Sequence, residues 1–177
     1  MTPSDFLPPP AAAAHRSEET DALSRLDLEV LHAAAAALPR AHAPYSRFFV
    51  GAALRGRDGD LFAGCNVENA SYPEGWCAET SALAALVLAG QQPFSTAAVV
   101  VRATTPCSPC GGCRQRLAEL AAPGARVLMA NLKADAAPAI SVQSSADGSQ
   151  DHPFAEIRVL TLDQLLPERF SGEILPA

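Results

Sequence analysis

Apolar positions recur at intervals of three and four through Leu23, Leu26, Val30, Leu31 and Ala34, the spacing of a single helix face. This predicts a helix that opens at Thr20, whose hydroxyl can cap the first turn. It closes near Leu38, because Pro39 disfavours helical backbone in the residue before it. Short apolar runs follow. Phe48–Leu54 and Leu61–Val67 are predicted strands, and Gly56-Arg57-Asp58-Gly59-Asp60 between them predicts a hairpin turn. Beyond a loop over Asn69–Gly75, an alanine- and leucine-rich stretch predicts a helix from about Cys77 to Ala89, stopped by Gly90. Thr96–Ala103, built around Val99-Val100-Val101, predicts a buried strand, and Thr104–Pro109 a turn. A third helix is predicted over Cys110–Ala121, ended by Pro123-Gly124, with a fourth strand at Arg126–Ala130. Ile157–Leu160 is a fifth strand, and Thr161 predicts the cap of a short helix through Leu166.

Strands alternating with helices imply a layered α/β sandwich around one mixed sheet. The opening hairpin supplies an antiparallel pair, and the helical crossovers supply parallel ones. Residues 1–19, rich in proline, alanine and polar groups, predict a mobile tail. Residues 133–153 lack periodicity and predict a flexible insertion within one domain spanning 20–172; 173–177 form a C-terminal tail.

At 177 residues the chain suits one globular domain, and about half of it (49%) is apolar. No run approaches the roughly 20 apolar residues of a membrane span. The first residues carry an acidic group and a triple proline in place of a secretory leader, so a cytoplasmic location and no membrane partner are expected. A net charge of −6 counts against nucleic acid and favours a small neutral ligand. Five cysteines are an odd number for a disulfide framework, and the crowding of Cys107, Cys110 and Cys113 points to a metal.

Trp76-Cys77-Ala78-Glu79 and Pro109-Cys110-Gly111-Gly112-Cys113 each follow a loop and open a predicted helix. A helix N-terminus carries partial positive charge and unpaired N–H groups, so a cysteine there ionises readily. Two such helix ends side by side can offer three thiolates, from Cys77, Cys110 and Cys113, to one zinc and leave a fourth position for water. Glu79, two residues past Cys77, can move protons without being a ligand. A second register exists, Cys107/Cys110, but it places Gly111 and Gly112 inside the helix at about 1 kcal/mol each against alanine. Cys110/Cys113 keeps both glycines in the first turn and is preferred. Cys65 reads as a small buried hydrophobe and Cys107 as a loop thiol. His15, His32, His42 and His152 share no ligand spacing and are expected at surface or tail positions.

With Pro44-Tyr45-Ser46-Arg47-Phe48, Val50–Leu54, Gly64-Cys65-Asn66-Val67-Glu68-Asn69-Ala70-Ser71-Tyr72, and a closing Leu165-Leu166-Pro167 with Phe170, these pieces follow one another in a known order. The chain resembles the small, homotetrameric, zinc-dependent cytidine deaminases over residues 20–172, apart from the insertion. The resemblance implies a three-layer α/β/α sandwich with a mixed five-stranded sheet and one Zn²⁺ per chain. It implies a free cytosine nucleoside as substrate, converted to its uracil counterpart in pyrimidine salvage. By the same likeness, Asn66 and Glu68 bind the ribose 3′-hydroxyl, Phe48 packs on the pyrimidine, and the Ala78 backbone with Glu79 reads the base edge. Ala70, Tyr72 and Phe170 then serve a neighbouring subunit's site. Core packing remains the alternative for Phe48, and a plain hydrophobic anchor the alternative for Phe170. Other readings are a blasticidin-type deaminase and a closed structural zinc protein with Cys107 as fourth ligand. The chain departs from the family at Thr80, where many members carry arginine. Three thiolates on one divalent ion leave a charge of about −1. N–H groups of Gly112 and Cys113, or Arg114, are expected to balance it.

Overall fold

The structure is a computed structural model that describes residues 23–136 and 152–172. Thr20, both tails and residues 137–151 of the insertion lie outside the described residues. The first helix, α1 (Arg25–Ala37), is capped by Ser24 and not by Thr20. Asp27 N–H donates to Ser24 Oγ at 3.1 Å, and Ser24 N–H returns a bond to the Asp27 carboxylate at 2.9 Å. This reciprocal box satisfies two orphan donors. Arg126 of the fourth strand also donates to Asp27, so the cap is tied to the sheet.

The remaining elements are β1 (Val50–Arg55), β2 (Leu61–Cys65), α2 (Ala78–Leu88), β3 (Phe94–Val101), α3 (Gly111–Leu120), β4 (Ala121–Leu132), β5 (Phe154–Thr161) and α4 (Leu162–Leu165). Pro123-Gly124, expected to end α3, lies inside β4, where the ladder with β3 shifts register and Gly124 adopts φ 74°. Thr161 caps α4 as expected, with Gln164 completing the box.

The five strands form one sheet in the order β2-β1-β3-β4-β5. Of these neighbours only β3 and β4 run parallel, whereas several parallel pairs were expected. The difference has a simple origin. Helix α2 carries the chain from β2 to β3, which share a direction but flank β1, and β1 is antiparallel to both.

Strand residues alternate between two cores, because successive side chains point to opposite faces. Ala52, Leu54, Ala97, Val127 and Met129 pack with α2 and Leu117 of α3. Ala53, Ala98, Val100, Leu128 and Ala130 pack with Leu28, Leu31 and Ala34 of α1. The result is the three-layer sandwich, with α2 and α3 on one face.

One local expectation changes. His32 is buried rather than exposed, with its ring 5.4 Å from that of Phe154; burial, then the nearby His152, lowers its pKa from 6.5. The insertion is anchored at its ends: Lys133 N–H donates to Pro153 O at 2.8 Å, and Arg102 donates to Ala136 O at 2.9 Å. Among the described residues no helix is long and apolar enough to cross a membrane.

Candidate active site

Cys77 and Cys110 are the N-cap residues of α2 and α3, both with extended backbone, and Cys113 lies in the first turn of α3. The loop before α2 is held in place: Val67 and Trp76 exchange two backbone hydrogen bonds at 2.8 Å, and Ser81 Oγ donates to Cys65 O at 2.8 Å. The two helix tips therefore converge, although 33 residues separate their cap cysteines. The Cys77 and Cys110 sulfurs are 4.0 Å apart, and all three sulfurs lie within 4.8 Å of one another. Tetrahedral zinc with Zn–S bonds of about 2.3 Å sets its sulfurs about 3.8 Å apart, so the cluster fits that ion. Cys107 stands outside it, with its thiol toward Ser108 O at 3.4 Å. The Cys110/Cys113 register is the one realised, and the four-cysteine closed site is not formed.

Hydrogen bonding with the Cys113 sulfur lowers the Cys77 pKa to about 6, against the opposing effect of burial. The same bond, with burial, pushes the Cys113 thiol up. Glu79, in the first turn of α2, is 5% exposed, and burial raises its pKa. A carboxyl group held this way takes and returns protons nearer neutral pH than an exposed one does.

Charge balance differs in part from expectation. Cys113 N–H donates to Cys110 Sγ at 3.4 Å, as foreseen. Arg114 instead binds Pro109 O at 2.8 Å, Ser108 Oγ at 2.9 Å and Leu165 O at 3.2 Å, tying α3 to its own loop and to α4. Its guanidinium is committed to structure.

Asn66 and Glu68 flank the pinned Val67. Asn66 accepts from Val50 N–H and donates to Phe48 O, both at 2.9 Å. Glu68 accepts from Tyr45 N–H at 2.9 Å, Ser46 N–H at 3.1 Å and the Ser46 hydroxyl. Each side chain retains hydrogen-bonding capacity: a second N–H on the amide, a lone pair on the carboxylate. Tyr45, Ser46, Glu68, Asn69, Tyr72 and Gly75 line a groove beside them. Tyr45 and Ser46 entered the sequence analysis only as part of the matching stretch Pro44–Phe48 and were given no role there; Arg47, which follows them, takes φ 54°. Phe48 precedes β1 and is 41% exposed, which rules out core packing in this chain. Ala70 and Tyr72 are exposed, and Ala78 is fully buried at the first position of α2. Phe170 is exposed, and its carbonyl accepts from Gln115 of α3 at 3.0 Å.

The family model for the cytidine and deoxycytidylate deaminase zinc-binding region matches residues 24–129. The chain belongs to this deaminase family. It is 43% identical over 136 residues to a cytidine deaminase of Sporosarcina psychrophila, covering 77% of this chain and 85% of that one. The crystal structure of a cytidine deaminase from Burkholderia pseudomallei superposes with a TM-score of 0.65 at 40% identity, covering 81% of this chain and 98% of that one. A cytidine deaminase from Mycobacterium tuberculosis gives 0.56 at 34% identity, covering 82% and 98%. As a member of the family the chain binds zinc, and the three-sulfur cluster is positioned to hold one ion.

One glycine lets this deaminase seat its metal-bearing helix. A Cβ on Gly64 of β2 would lie 2.5 Å from Ala82 N and 2.6 Å from Ala78 O. These are backbone atoms of α2, so nothing flexible can yield. Gly64→Ala is expected to push the α2 tip off the sheet, lower stability by about 1–3 kcal/mol and weaken zinc retention. Thermal melting with zinc analysis checks this; wild-type values for both would refute it.

Proposed function

We propose that this protein hydrolyses free cytidine and deoxycytidine to uridine and deoxyuridine, releasing ammonia. The observation that carries the reading is three sulfurs within 4.8 Å at two helix tips, with buried Glu79 on one of them. Cys77, Cys110 and Cys113 would hold zinc, which when bound supplies the Lewis acidity that makes water nucleophilic at neutral pH. Water adds at C4 of the ring, the C4–N bond breaks, and a carbonyl forms as ammonia leaves. Glu79 takes one proton from the water and delivers it to ring N3, then takes the remaining proton from the C4 hydroxyl as the carbonyl forms and passes it to the departing amine. Its burial keeps its carboxyl basic enough for the first transfer.

The nucleoside is held by the residues around that centre. Asn66 and Glu68, already fixed by the backbone of residues 45–50, offer a donor and an acceptor to the ribose 3′-hydroxyl. Phe48 packs on the pyrimidine, and Ala78 N–H with Glu79 reads its edge. The active form is a homotetramer in which Ala70, Tyr72 and Phe170 complete a neighbour's site. Supporting this, Tyr72, Trp76 and Phe170 are exposed although aromatic, as expected of surfaces that meet other chains. Five free cysteines suit the reducing cytoplasm.

Ammonia release across cytidine, deoxycytidine, cytosine, adenosine and blasticidin S, with zinc measured on the same sample, tests the assignment. Turnover of the two cytosine nucleosides with one zinc per chain is expected. Turnover of blasticidin S alone, or of none, would overturn it.

A further inference from the structure

The three sulfurs do not have equal surroundings. Cys110 Sγ accepts a backbone N–H from Cys113. Cys77 caps α2 without a side-chain capping bond, and its sulfur lies 4.0 Å from the Cys110 sulfur. Cys113, fully buried, has the Thr80 hydroxyl 3.9 Å from its sulfur. Thr80 stands one residue past Glu79 in the first turn of α2, where Thr80 N–H bonds Cys77 O at 3.1 Å. Its side chain thus reaches from the helix that Cys77 caps to the ligand in the first turn of the other.

A metal-bound sulfur is a thiolate with no proton to give, so in this contact the hydroxyl must donate. Hydrogen bonds to a charged acceptor are the stronger kind, and partners behind metal ligands tune both orientation and affinity. Cations do not take this place. Arg114 is spent on Pro109, Ser108 and Leu165. Arg116 folds over Gly112, where a Cβ would lie 2.9 Å from its guanidinium, and its charge acts on Cys77 and not on Cys113.

We infer that Thr80 is a positioning residue of the zinc centre, its hydroxyl donating to the Cys113 thiolate and locking α2 to α3 through the metal ligand. The inference rests on the assignment of Cys77, Cys110 and Cys113 as zinc ligands. It predicts that retention depends on the oxygen at residue 80 and not on its bulk or branching.

The test uses zinc-loaded full-length protein, challenged with a chromogenic chelator while zinc transfer is timed. Thr80→Val keeps the shape and removes the donor; Thr80→Ser keeps the donor and removes the methyl. Thr80→Val is expected to lose zinc about 10–100 times faster than wild type, with Thr80→Ser within about threefold. Thr80→Ala, which suits a helix better than valine, covers the case where valine perturbs folding and should also lose zinc quickly. Wild-type retention by either Thr80→Val or Thr80→Ala would overturn the role of Thr80 while leaving the zinc site standing. Rapid loss from Thr80→Ser would likewise show that the hydroxyl is not what matters. Wild-type protein that binds no zinc would overturn the ligand assignment itself.

Discussion

Glu79→Gln is expected to reduce ammonia release from cytidine by about 10²–10⁴-fold while the protein keeps its full zinc content. Glutamine matches glutamate in shape but cannot carry a proton between water, ring nitrogen and leaving amine. The metal stays because the cluster comprises the three cysteine sulfurs and not the carboxylate. Stability should hold or rise. Glu79 is 5% exposed and burial disfavours its charged form, so the neutral amide removes a cost that the fold bears for catalysis. Melting temperature, zinc content and turnover on one preparation separate these effects. Near-wild-type turnover would exclude Glu79 as the proton carrier.

Cys113→Ala is expected to abolish both zinc binding and turnover, and to lower thermal stability. Cys113 is fully buried at the junction of α2 and α3, and a metal ligated from both helices acts as a cross-link. If zinc is present at about a thousand times its dissociation constant, its loss removes about 4 kcal/mol. For a chain of this size that corresponds to about 8–16 °C in melting temperature. Cys107→Ala is the control. Its thiol lies outside the cluster, so zinc, turnover and melting should stay near wild type. Full zinc in Cys113→Ala, or zinc loss in Cys107→Ala, would refute this ligand set.

These experiments bear on residues that differ in how plainly the sequence announced them. Helix tips were legible because capping is local: Cys77 and Cys110 each follow a loop and precede a periodic run, and each turns out to be an N-cap. Gly111-Gly112 selected the correct Cys-x-x-Cys register for the same reason, since the cost of glycine within a helix depends only on its immediate neighbours. Local competition between signals explains one miss: Thr20 and Ser24 both offer a hydroxyl before the apolar run, and Ser24 caps because Asp27 completes the box and Arg126 holds it.

The sequence by itself determined the alternation of strands and helices, the two helix starts, the trio of sulfurs and the neighbouring carboxylate, all through spacings of a few residues. Tertiary structure decided the rest. It placed β1 between β2 and β3, buried His32 against Phe154, spent Arg114 on loop carbonyls and brought the Thr80 hydroxyl to Cys113. Such outcomes depend on contacts between residues tens of positions apart. Those contacts are chosen by how whole faces pack and not by any local pattern.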